Sequence, residues 1–503
     1  MSVPVTLEFK AENLPDKDLL SKSDPMCVVY KISPKEKGFS SFKPTAGNFV
    51  AQEVFRTCVK KNSLNPHWEN VYATDYVFEQ EQWFFFQVVD VDEKHNANIS
   101  AQDFLGGVMV TLGNIVAMKV DGWFKAPLTD KNSQQVCVKG AASMIYIKPT
   151  QMPRTSTEYA IQCRFTLAST RLFKSDTPFI QVRNSQGQTV KETIKGNGKV
   201  STYEEFTLSG MHTTPSSTWH LAHTHNGDEI GDVVLTEQQL SNMPPGSSIP
   251  VLHKGKEAGM LTFLKCERRE RQEEVKNSII NYLDTGKTIS AIVAIDFTQS
   301  NGEPSSPGSL HYLKGNNQYR NGINSIVPII DQYDKDKTYP VFGYGISIRG
   351  VTDHCRLLTE TAQYSDGVVM AYEKALSDPE NALSGPTNFA PVIRESMRRA
   401  SSQENVYTVL VIFTDGVISD MDNTISAIVD ASYLPMSIII IGVGNADFQS
   451  MCRLDNDGQP PLRSGNKVAK RDIVQFVPLR DYKDAQSLQA ATLAELPKQI
   501  SGL

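Results

Sequence analysis

Three continuous apolar runs in the C-terminal half constrain the fold of this 503-residue chain most strongly. They cover residues 289–295, 407–413 and 436–441. Strands that are buried on both faces of a parallel sheet have this composition. Helical patterns lie between the runs, for example over residues 389–400 and 424–431. The sequence therefore predicts a doubly wound α/β domain over residues 287–503, with ligands bound beyond the carboxyl ends of its strands.

Two earlier segments have short alternating or aromatic runs, separated by Pro, Gly, Asn and Asp turns. This pattern predicts two antiparallel β-sandwiches, over residues 1–148 (the first β segment) and 158–265 (the second β segment). The runs lie at residues 3–9, 26–32, 83–89 and 144–147, and at 159–167, 178–182, 219–222 and 260–264. Residues 266–276 are almost all charged or polar and favour a helix, so we expect a helical linker over residues 266–286.

The composition disfavours several classes of protein. A formal net charge of −6, with no strongly basic segment, argues against binding to nucleic acid. The most apolar stretch, residues 434–443, is too short to span a bilayer, and the N-terminus does not resemble a signal peptide. Seven scattered cysteines indicate a reducing compartment and not a disulfide framework. We expect a cytoplasmic protein whose membrane contact is peripheral.

Acidic residues cluster in two regions of the first β segment. Asp18 and Asp24 precede one predicted strand, Asp90 and Asp92 follow another, and Asp103 comes shortly afterwards. Calcium binds six to eight oxygen atoms, many of them from carboxylates. As a set, these residues predict a calcium site at one end of the sandwich, although each alone is also compatible with an ordinary turn. The spacing resembles the calcium-binding loops of a C2 domain. The strand entry at residues 63–68 also resembles that domain.

The second β segment repeats this frame but lacks most of its acids. Thr170 stands at the position of Asp18, and histidines replace two aspartates. The corresponding positions are Thr170, Asp176, His223, His225 and Asp228. Because two carboxylates are too few for calcium, the sequence predicts a calcium-independent domain. A zinc site at His223 and His225, with His220 nearby, and solvent-exposed histidines are the alternatives.

The predicted α/β domain places oxygen ligands after several of its strands. Asp296, Thr298 and Ser300 alternate directly after the first apolar run, while Thr387 and Asp415 lie in later loops. Carboxylate and hydroxyl oxygens are suitable ligands for a hard divalent cation. The pattern resembles the metal-ion-dependent adhesion site of a von Willebrand A domain. This resemblance implies Mg²⁺ or Mn²⁺ at these five residues, with one coordination position left for an acidic side chain of a partner.

Two C2 domains followed by a von Willebrand A domain make the chain similar to the copines. Residues 294–298, 385–391, 414–418, 434–440 and 471–478 also resemble copine segments. The resemblance implies a calcium-dependent phospholipid-binding protein that moves from the cytoplasm to the plasma membrane or endomembranes when calcium rises. It also implies calcium and magnesium or manganese as cofactors, with anionic phospholipid membranes and target proteins of the A domain as partners.

A metal-dependent enzyme, such as a lipid hydrolase or a kinase, is the alternative function. Asp296, Ser300 and Asp415 would then be its metal-assisted catalytic residues. The sequence contains no G-x-S-x-G, H-E-x-x-H, P-loop or protein-kinase motif set. No His or Lys base is placed near these residues by sequence. The sequence therefore favours a non-enzymatic protein that recruits partners, and the cysteine pattern disfavours an extracellular adhesion protein.

Overall fold

The chain divides into two compact units. The computed structural model describes residues 2–502 except 19–20, 37, 39–41, 93–97, 169–176, 211–215, 224–228, 274–277 and 458. Unit 1 comprises residues 1–152 together with 276–503, and unit 2 comprises residues 153–275. The first β segment and the α/β segment are therefore parts of one unit, whereas the sequence predicts separate domains.

The first β segment is a sandwich of two antiparallel sheets. Among the described residues, its sheets have the strand orders β4-β1-β10-β7 and β3-β2-β5-β6. Its elements are β1 (Ser2–Glu12), β2 (Pro25–Pro34), β3 (Phe49–Arg56), β4 (His67–Val77), β5 (Trp83–Asp90), β6 (Asp103–Thr111), helix α1 (Leu112–Ala117), β7 (Phe124–Pro127), β8 (Cys137–Val138), β9 (Ala141–Ala142) and β10 (Met144–Gln151). Alternate residues of β1 are buried, as one-sided packing requires. The four strands predicted here are confirmed.

Unit 2 is also built from antiparallel strands. Its elements are β11 (Arg154–Leu167), β12 (Pro178–Arg183), β13 (Thr189–Glu192), β14 (Val200–Thr202), β15 (Phe206–Ser209), β16 (Ser216–His223), β17 (Glu229–Thr236), helix α2 (Glu237–Ser241), β18 (Ser248–His253) and β19 (Lys256–Glu273). The core contains Trp219, Phe165 and Phe263. The four strands predicted in this segment are confirmed as well.

The predicted helix over residues 266–273 is wrong, because this run continues strand β19. It pairs with β11 in a register that extends from Arg154↔Glu273 to Leu167↔Gly259. Cross-strand partners satisfy its polar side chains: Arg271 Nη1 lies 3.2 Å from Glu158 Oε1. Pairing with β11 overrides the local helix propensity. The helical part of the linker is limited to Ile279–Asp284, where the Ser278 hydroxyl accepts a hydrogen bond from the Asn281 amide.

The α/β segment is built around one mixed sheet. Its helices are α3 (Ile279–Asp284), α4 (Gln318–Asp331), α5 (Tyr364–Ser377), α6 (Ala390–Ser402), α7 (Met421–Ala431), α8 (Gln449–Asp455), α9 (Ala485–Thr492) and α10 (Leu496–Ser501). Its strands are β20 (Thr288–Asp296), β21 (Thr338–Tyr344), β22 (Ile346–Ile348), β23 (Val351–Asp353), β24 (Arg356–Gln363), β25 (Ala382–Leu383), β26 (Val406–Thr414), β27 (Met436–Gly442), β28 (Arg463–Ser464), β29 (Lys467–Val468) and β30 (Val474–Pro478).

Both faces of this sheet are covered. In the described part of the chain the order is β24-β21-β20-β26-β27-β30, with β24 antiparallel to β21 and the other neighbours parallel. Alternate residues of β20 belong to different hydrophobic clusters, Val293 to one and Ala294 to the other. Two-sided burial explains why these strands are continuous apolar runs in the sequence. The three strands predicted from those runs are confirmed.

The two parts of unit 1 share one hydrophobic core. Phe78 of the first β segment stacks on Tyr333, which follows α4, with ring centroids 4.6 Å apart. The Tyr76 and Tyr333 hydroxyls are 2.7 Å apart, and the Tyr333 hydroxyl also donates to the Phe78 carbonyl at 3.1 Å. Helix α1 packs against α3. A polar contact at the rim joins Lys43 to Asp366 at 3.0 Å.

Two further observations bear on the predictions from composition. All seven cysteines are free thiols. Within the described residues, the structure contains no helix with the length and apolar character needed to cross a membrane.

Candidate metal sites

Strand register brings three of the five predicted calcium ligands to one end of the first β segment. Asp24 directly precedes β2, and the first residue of β2 pairs with Asp90, the last residue of β5. Asp90 in turn pairs with Asp103, the first residue of β6. The Asp24 amide donates a hydrogen bond to Asp90 Oδ1 at 2.6 Å. These contacts place Asp24, Asp90 and Asp103 beside one another at the ends of adjacent strands.

The other two predicted ligands lie in the loops that flank this group. Asp18 Oδ2 accepts a hydrogen bond from the Ser21 hydroxyl at 2.8 Å. The Asp92 amide donates to Gln102 Oε1 at 2.9 Å. Gln102 is buried and directly precedes Asp103. Its side chain therefore connects Asp92 to the residue that precedes β6. Sequence reasoning missed Gln102, for which adjacency to Asp103 is the available signal.

The carboxylates of this group affect one another electrostatically. Burial raises the pKa of Asp90, and the negative charges of Asp18 and Asp24 raise it further, against hydrogen bonds from Ser23 and the Asp24 amide. No three of the five carboxylates, all within the described residues, bring their oxygens within 4.8 Å of one another. The donors are all hard oxygens, which suits calcium.

The corresponding positions of the second β segment are mostly not described. Thr170, Asp176, His225 and Asp228 lie outside the described residues, and of His223 only the backbone at the end of β16 is described. Calcium independence of this segment and the alternative zinc site at His223 and His225 therefore stay predictions.

Four of the five predicted ligands of the α/β segment form one hydrogen-bonded group. Asp296, fully buried at the end of β20, accepts hydrogen bonds from the Thr298 amide at 2.8 Å and the Thr298 hydroxyl at 2.6 Å. The Thr298 hydroxyl lies 3.1 Å from the Ser300 hydroxyl. It also accepts a long hydrogen bond from the Thr387 hydroxyl at 3.5 Å. The structure thus brings residues from two separate loops to a common point.

Asp415, the fifth predicted ligand, faces the same point from the end of β26. Burial and the neighbouring Asp415 charge raise the pKa of Asp296. Burial likewise raises the pKa of Asp415, against hydrogen bonds to Ser300 and Asp296. Two carboxyls whose charged forms are disfavoured by burial, together with three hydroxyls, fit a divalent cation that would neutralise them.

Residues behind these ligands fix their positions, and sequence reasoning missed them. The Thr414 hydroxyl donates to the second carboxylate oxygen of Asp296 at 2.9 Å. Asn301 donates to the Thr298 carbonyl at 3.1 Å and accepts from the Tyr319 hydroxyl at 2.6 Å. Partners of this kind orient metal ligands and are part of a metal site's design. For Thr414 and Asn301, adjacency to Asp415 and Ser300 is the available sequence signal, although their contacts depend on the tertiary fold.

Asp420 holds the loop that carries Thr387. Its carboxylate accepts hydrogen bonds from the Phe389 and Ala390 amides, each at 3.0 Å, at the start of α6. Its neighbour Ser419 donates its amide to the Thr387 carbonyl at 2.8 Å and accepts from the Thr387 amide at 3.2 Å. An acidic residue that accepts from free amides at a helix start is favourable. In the sequence, Asp420 is visible only as a residue that precedes the next helix.

Comparison with known proteins gives two family-model matches and, among other relatives, two that match nearly the whole chain. A C2 domain model matches residues 7–126, and a copine model matches residues 309–503. Protein BONZAI 1 of Arabidopsis thaliana is 34% identical over 536 residues, which cover 99% of this chain and 89% of the relative. Protein BONZAI 2 of the same organism is 32% identical over 538 residues, with the same coverage of 99% and 89%.

Solved structures were also compared. A calcium-bound structure of two C2 domains of Extended-Synaptotagmin 2 is 14% identical, covers 54% of this chain and 98% of that chain, and gives a TM-score of 0.21. A structure titled BON1-C2B is 22% identical, covers 30% of this chain and 92% of that chain, and gives a TM-score of 0.22. Scores this low support no conclusion about fold or function. The copine model match, together with two relatives above 30% identity that match nearly the whole sequence, shows that this chain belongs to the copine family.

Proposed function

We propose that this copine binds anionic phospholipid membranes when calcium rises and recruits partner proteins through its metal-dependent α/β segment. The observation that carries the proposal is the meeting of Asp24, Asp90 and Asp103 at the ends of β2, β5 and β6. Asp18 and Asp92 flank this group in adjacent loops. Calcium would be held by these five carboxylates, and it would supply positive charge at the loop ends.

Neutralisation of the clustered carboxylates would explain how calcium promotes membrane binding. Without calcium, the clustered carboxylates repel an anionic leaflet. Two bound calcium ions would add four positive charges at this end. Each favourable charge near an anionic surface contributes about 1 kcal/mol, so the switch corresponds to about 4 kcal/mol, or on the order of 10³-fold in vesicle affinity. We propose that this switch moves the protein from the cytoplasm to the plasma membrane or endomembranes.

In the α/β segment, we propose that Asp296, Thr298, Ser300, Thr387 and Asp415 hold Mg²⁺ or Mn²⁺, as in a von Willebrand A domain. The supporting observation is the convergence of their side chains at the carboxyl end of the sheet. This is the expected position of a site in an open parallel sheet. The bound cation would supply a coordination position for an acidic side chain of a partner.

We propose a binding role for this cation, and the position of a histidine behind the site supports that choice. His311 is completely buried, and its Nδ1 is 2.8 Å from the Tyr372 hydroxyl. Its ring is enclosed by Phe297, Tyr319 and Tyr372. A general base must reach the proton that it removes from a substrate. His311 is therefore a packing residue behind the site, which leaves the site suited to binding.

Sedimentation with phosphatidylserine-containing vesicles across a calcium titration tests the proposal. The double variant Asp90→Asn plus Asp92→Asn should lose calcium-dependent binding. Asp75→Asn plus Asp121→Asn is a matched control, because it removes the same charge from exposed positions of the same segment outside the proposed site. The titration is repeated with magnesium in place of calcium, and with the Asp415→Ala variant. These measurements distinguish the metal site of the first β segment from that of the α/β segment. Calcium-dependent binding that survives in the Asp90 and Asp92 variant would refute the proposed switch.

A further inference from the structure

Unit 2 carries a cluster of metal-ligating side chains of which sequence reasoning named only His220, beside the alternative zinc site. His220 lies on β16, and Glu229 and Asp232 lie on β17. One ligand atom from each of these residues lies within 4.8 Å of the other two. His220 Nδ1 is 2.6 Å from Asp232 Oδ1. The three side chains therefore already converge without large rearrangement.

A β-bulge creates this convergence. Across β16 and β17, His220 pairs with Asp232, Leu221 with Gly231 and Ala222 with Glu229, so Ile230 is an extra residue. In a regular strand without a bulge, Glu229 and Asp232, which are three residues apart, would point to opposite faces. The bulge returns Glu229 to the outer face, where Asp232 and His220 lie. Gly231 makes the bulge possible: its φ is +152°, and a Cβ would lie 2.5 Å from the Leu252 carbonyl oxygen.

The neighbouring strand supplies a fourth donor. His253, the last residue of β18, places Nδ1 3.7 Å from Glu229 Oε1. This nitrogen is buried and has no hydrogen-bond partner. An unpartnered buried nitrogen beside a carboxylate is unusual and calls for an explanation. The four side chains are between 16% and 47% exposed.

We propose that His220, Glu229 and Asp232 bind a first-row transition-metal ion such as Zn²⁺, with His253 as the fourth donor. Imidazole nitrogen and carboxylate oxygen are common zinc ligands, and four of them suit its tetrahedral preference. The set contains too few hard oxygens for tight calcium binding. This places a metal of a different class in the segment whose sequence lacks most of the calcium-binding acids.

A hydrogen-bonded pair on a protein surface is the simpler explanation, and the chain contains a matched example. His67 Nε2 lies 2.7 Å from Glu8 Oε1 on the first β segment. Among the described residues, that pair does not belong to a group of three metal-ligating side chains within 4.8 Å. His67→Ala is therefore the control, because it removes a histidine that contacts a single carboxylate outside any such group.

Zinc binding by the full chain tests the proposal. Competition with a chromophoric chelator is measured in excess calcium and magnesium, which occupy the hard-oxygen sites. Wild type and His67→Ala should bind zinc equally. His220→Ala and Glu229→Gln should each weaken the same binding event by at least about 100-fold, because losing a ligand exceeds the 10- to 100-fold effect of losing a supporting residue. Cobalt in place of zinc should give a tetrahedral spectrum without sulfur-to-cobalt charge transfer, which excludes the free thiols.

Thermal unfolding without zinc identifies variants that fail to fold, and Asp232→Asn is the conservative replacement in that case. Equal zinc affinity in wild type, His220→Ala and Glu229→Gln would overturn the proposal. A wild-type protein that takes up no zinc, or only thiol-bound cobalt, would overturn it as well. Because these measurements use no lipid, their failure is distinguishable from failure of the calcium switch.

Discussion

Replacing Tyr333 by phenylalanine tests whether the two parts of unit 1 unfold together. The Tyr333 hydroxyl has one proton, which it donates to the Phe78 carbonyl. The Tyr76 hydroxyl, 2.7 Å away, must therefore donate to Tyr333. Both tyrosines are about 1% exposed. Tyr333→Phe leaves the buried Tyr76 donor without its acceptor and removes a donor from the Phe78 carbonyl.

Because of the direction of these hydrogen bonds, replacing Tyr333 and replacing Tyr76 should change the free energy of unfolding by different amounts. A buried polar group left without a partner costs about 1–3 kcal/mol, so Tyr333→Phe should reduce the free energy of unfolding of unit 1 by that amount. Tyr76→Phe removes one hydrogen bond but leaves Tyr333 donating to Phe78, which costs about 0.5–1.5 kcal/mol. The double variant should cost less than Tyr333→Phe alone, because it also removes the Tyr76 donor that Tyr333→Phe leaves without an acceptor.

Native-state hydrogen exchange, read peptide by peptide by mass spectrometry, measures these effects. For Tyr333→Phe, slowly exchanging amides in both β1 and β20 should exchange about 5- to 150-fold faster, which corresponds to 1–3 kcal/mol. Unit 2 is the internal control and should not change. A change confined to the first β segment, or a larger effect of Tyr76→Phe than of Tyr333→Phe, would refute the reasoning.

Two further predictions concern charge and capping. Burial raises the pKa of Glu81 from its ordinary 4.5 to about 7, and the charge of Asp331 acts in the same direction. Burial therefore favours the protonated form of Glu81 in the folded state. Since the folded pKa is the higher one, the contribution of Glu81 to stability is complete below about pH 4.5 and is lost as pH rises through about 7. Glu81→Gln should flatten the fall in stability of unit 1 between about pH 5 and pH 8 in thermal unfolding scans, and an unchanged slope would contradict this. Asp420→Ala should lower the free energy of unfolding by about 1–2 kcal/mol and weaken magnesium binding in a titration, because α6 and the Thr387 loop lose their acceptor; the exposed Asp422→Ala is the control, and equal effects of the two would contradict it.

The sequence predicted the elements of this fold better than their assembly. Residues 289–295 form a strand as expected, because burial on two faces demands a continuous apolar run. The shared core of unit 1 had no such signal, since Phe78 and Tyr333 are apolar or aromatic residues that fit any core equally well. Residues 266–273 misled the prediction because charged residues favour helices locally, whereas pairing with β11 decided their conformation.

In the candidate sites too, local spacing was predictable from the sequence, whereas contacts that depend on strand irregularities were not. Asp296, Thr298 and Ser300 are close in sequence, so their common orientation followed from local spacing. The group at His220, Glu229 and Asp232 depends on a bulge, which shifts the side-chain alternation by one residue. Simple alternation along β17 would separate Glu229 from Asp232, and Gly231 is the residue that could have indicated the bulge.

The shared core also sets an order of events during synthesis. The Tyr76 hydroxyl finds its partner 257 residues further along the chain. Ribosomes add about 5–20 residues per second, so roughly 13–50 s pass before Tyr333 is made. During that interval the inward surface around Phe78 lacks the groups that later cover it. An incompletely covered apolar surface promotes aggregation, so newly made chains should depend on molecular chaperones until the α/β segment has been translated.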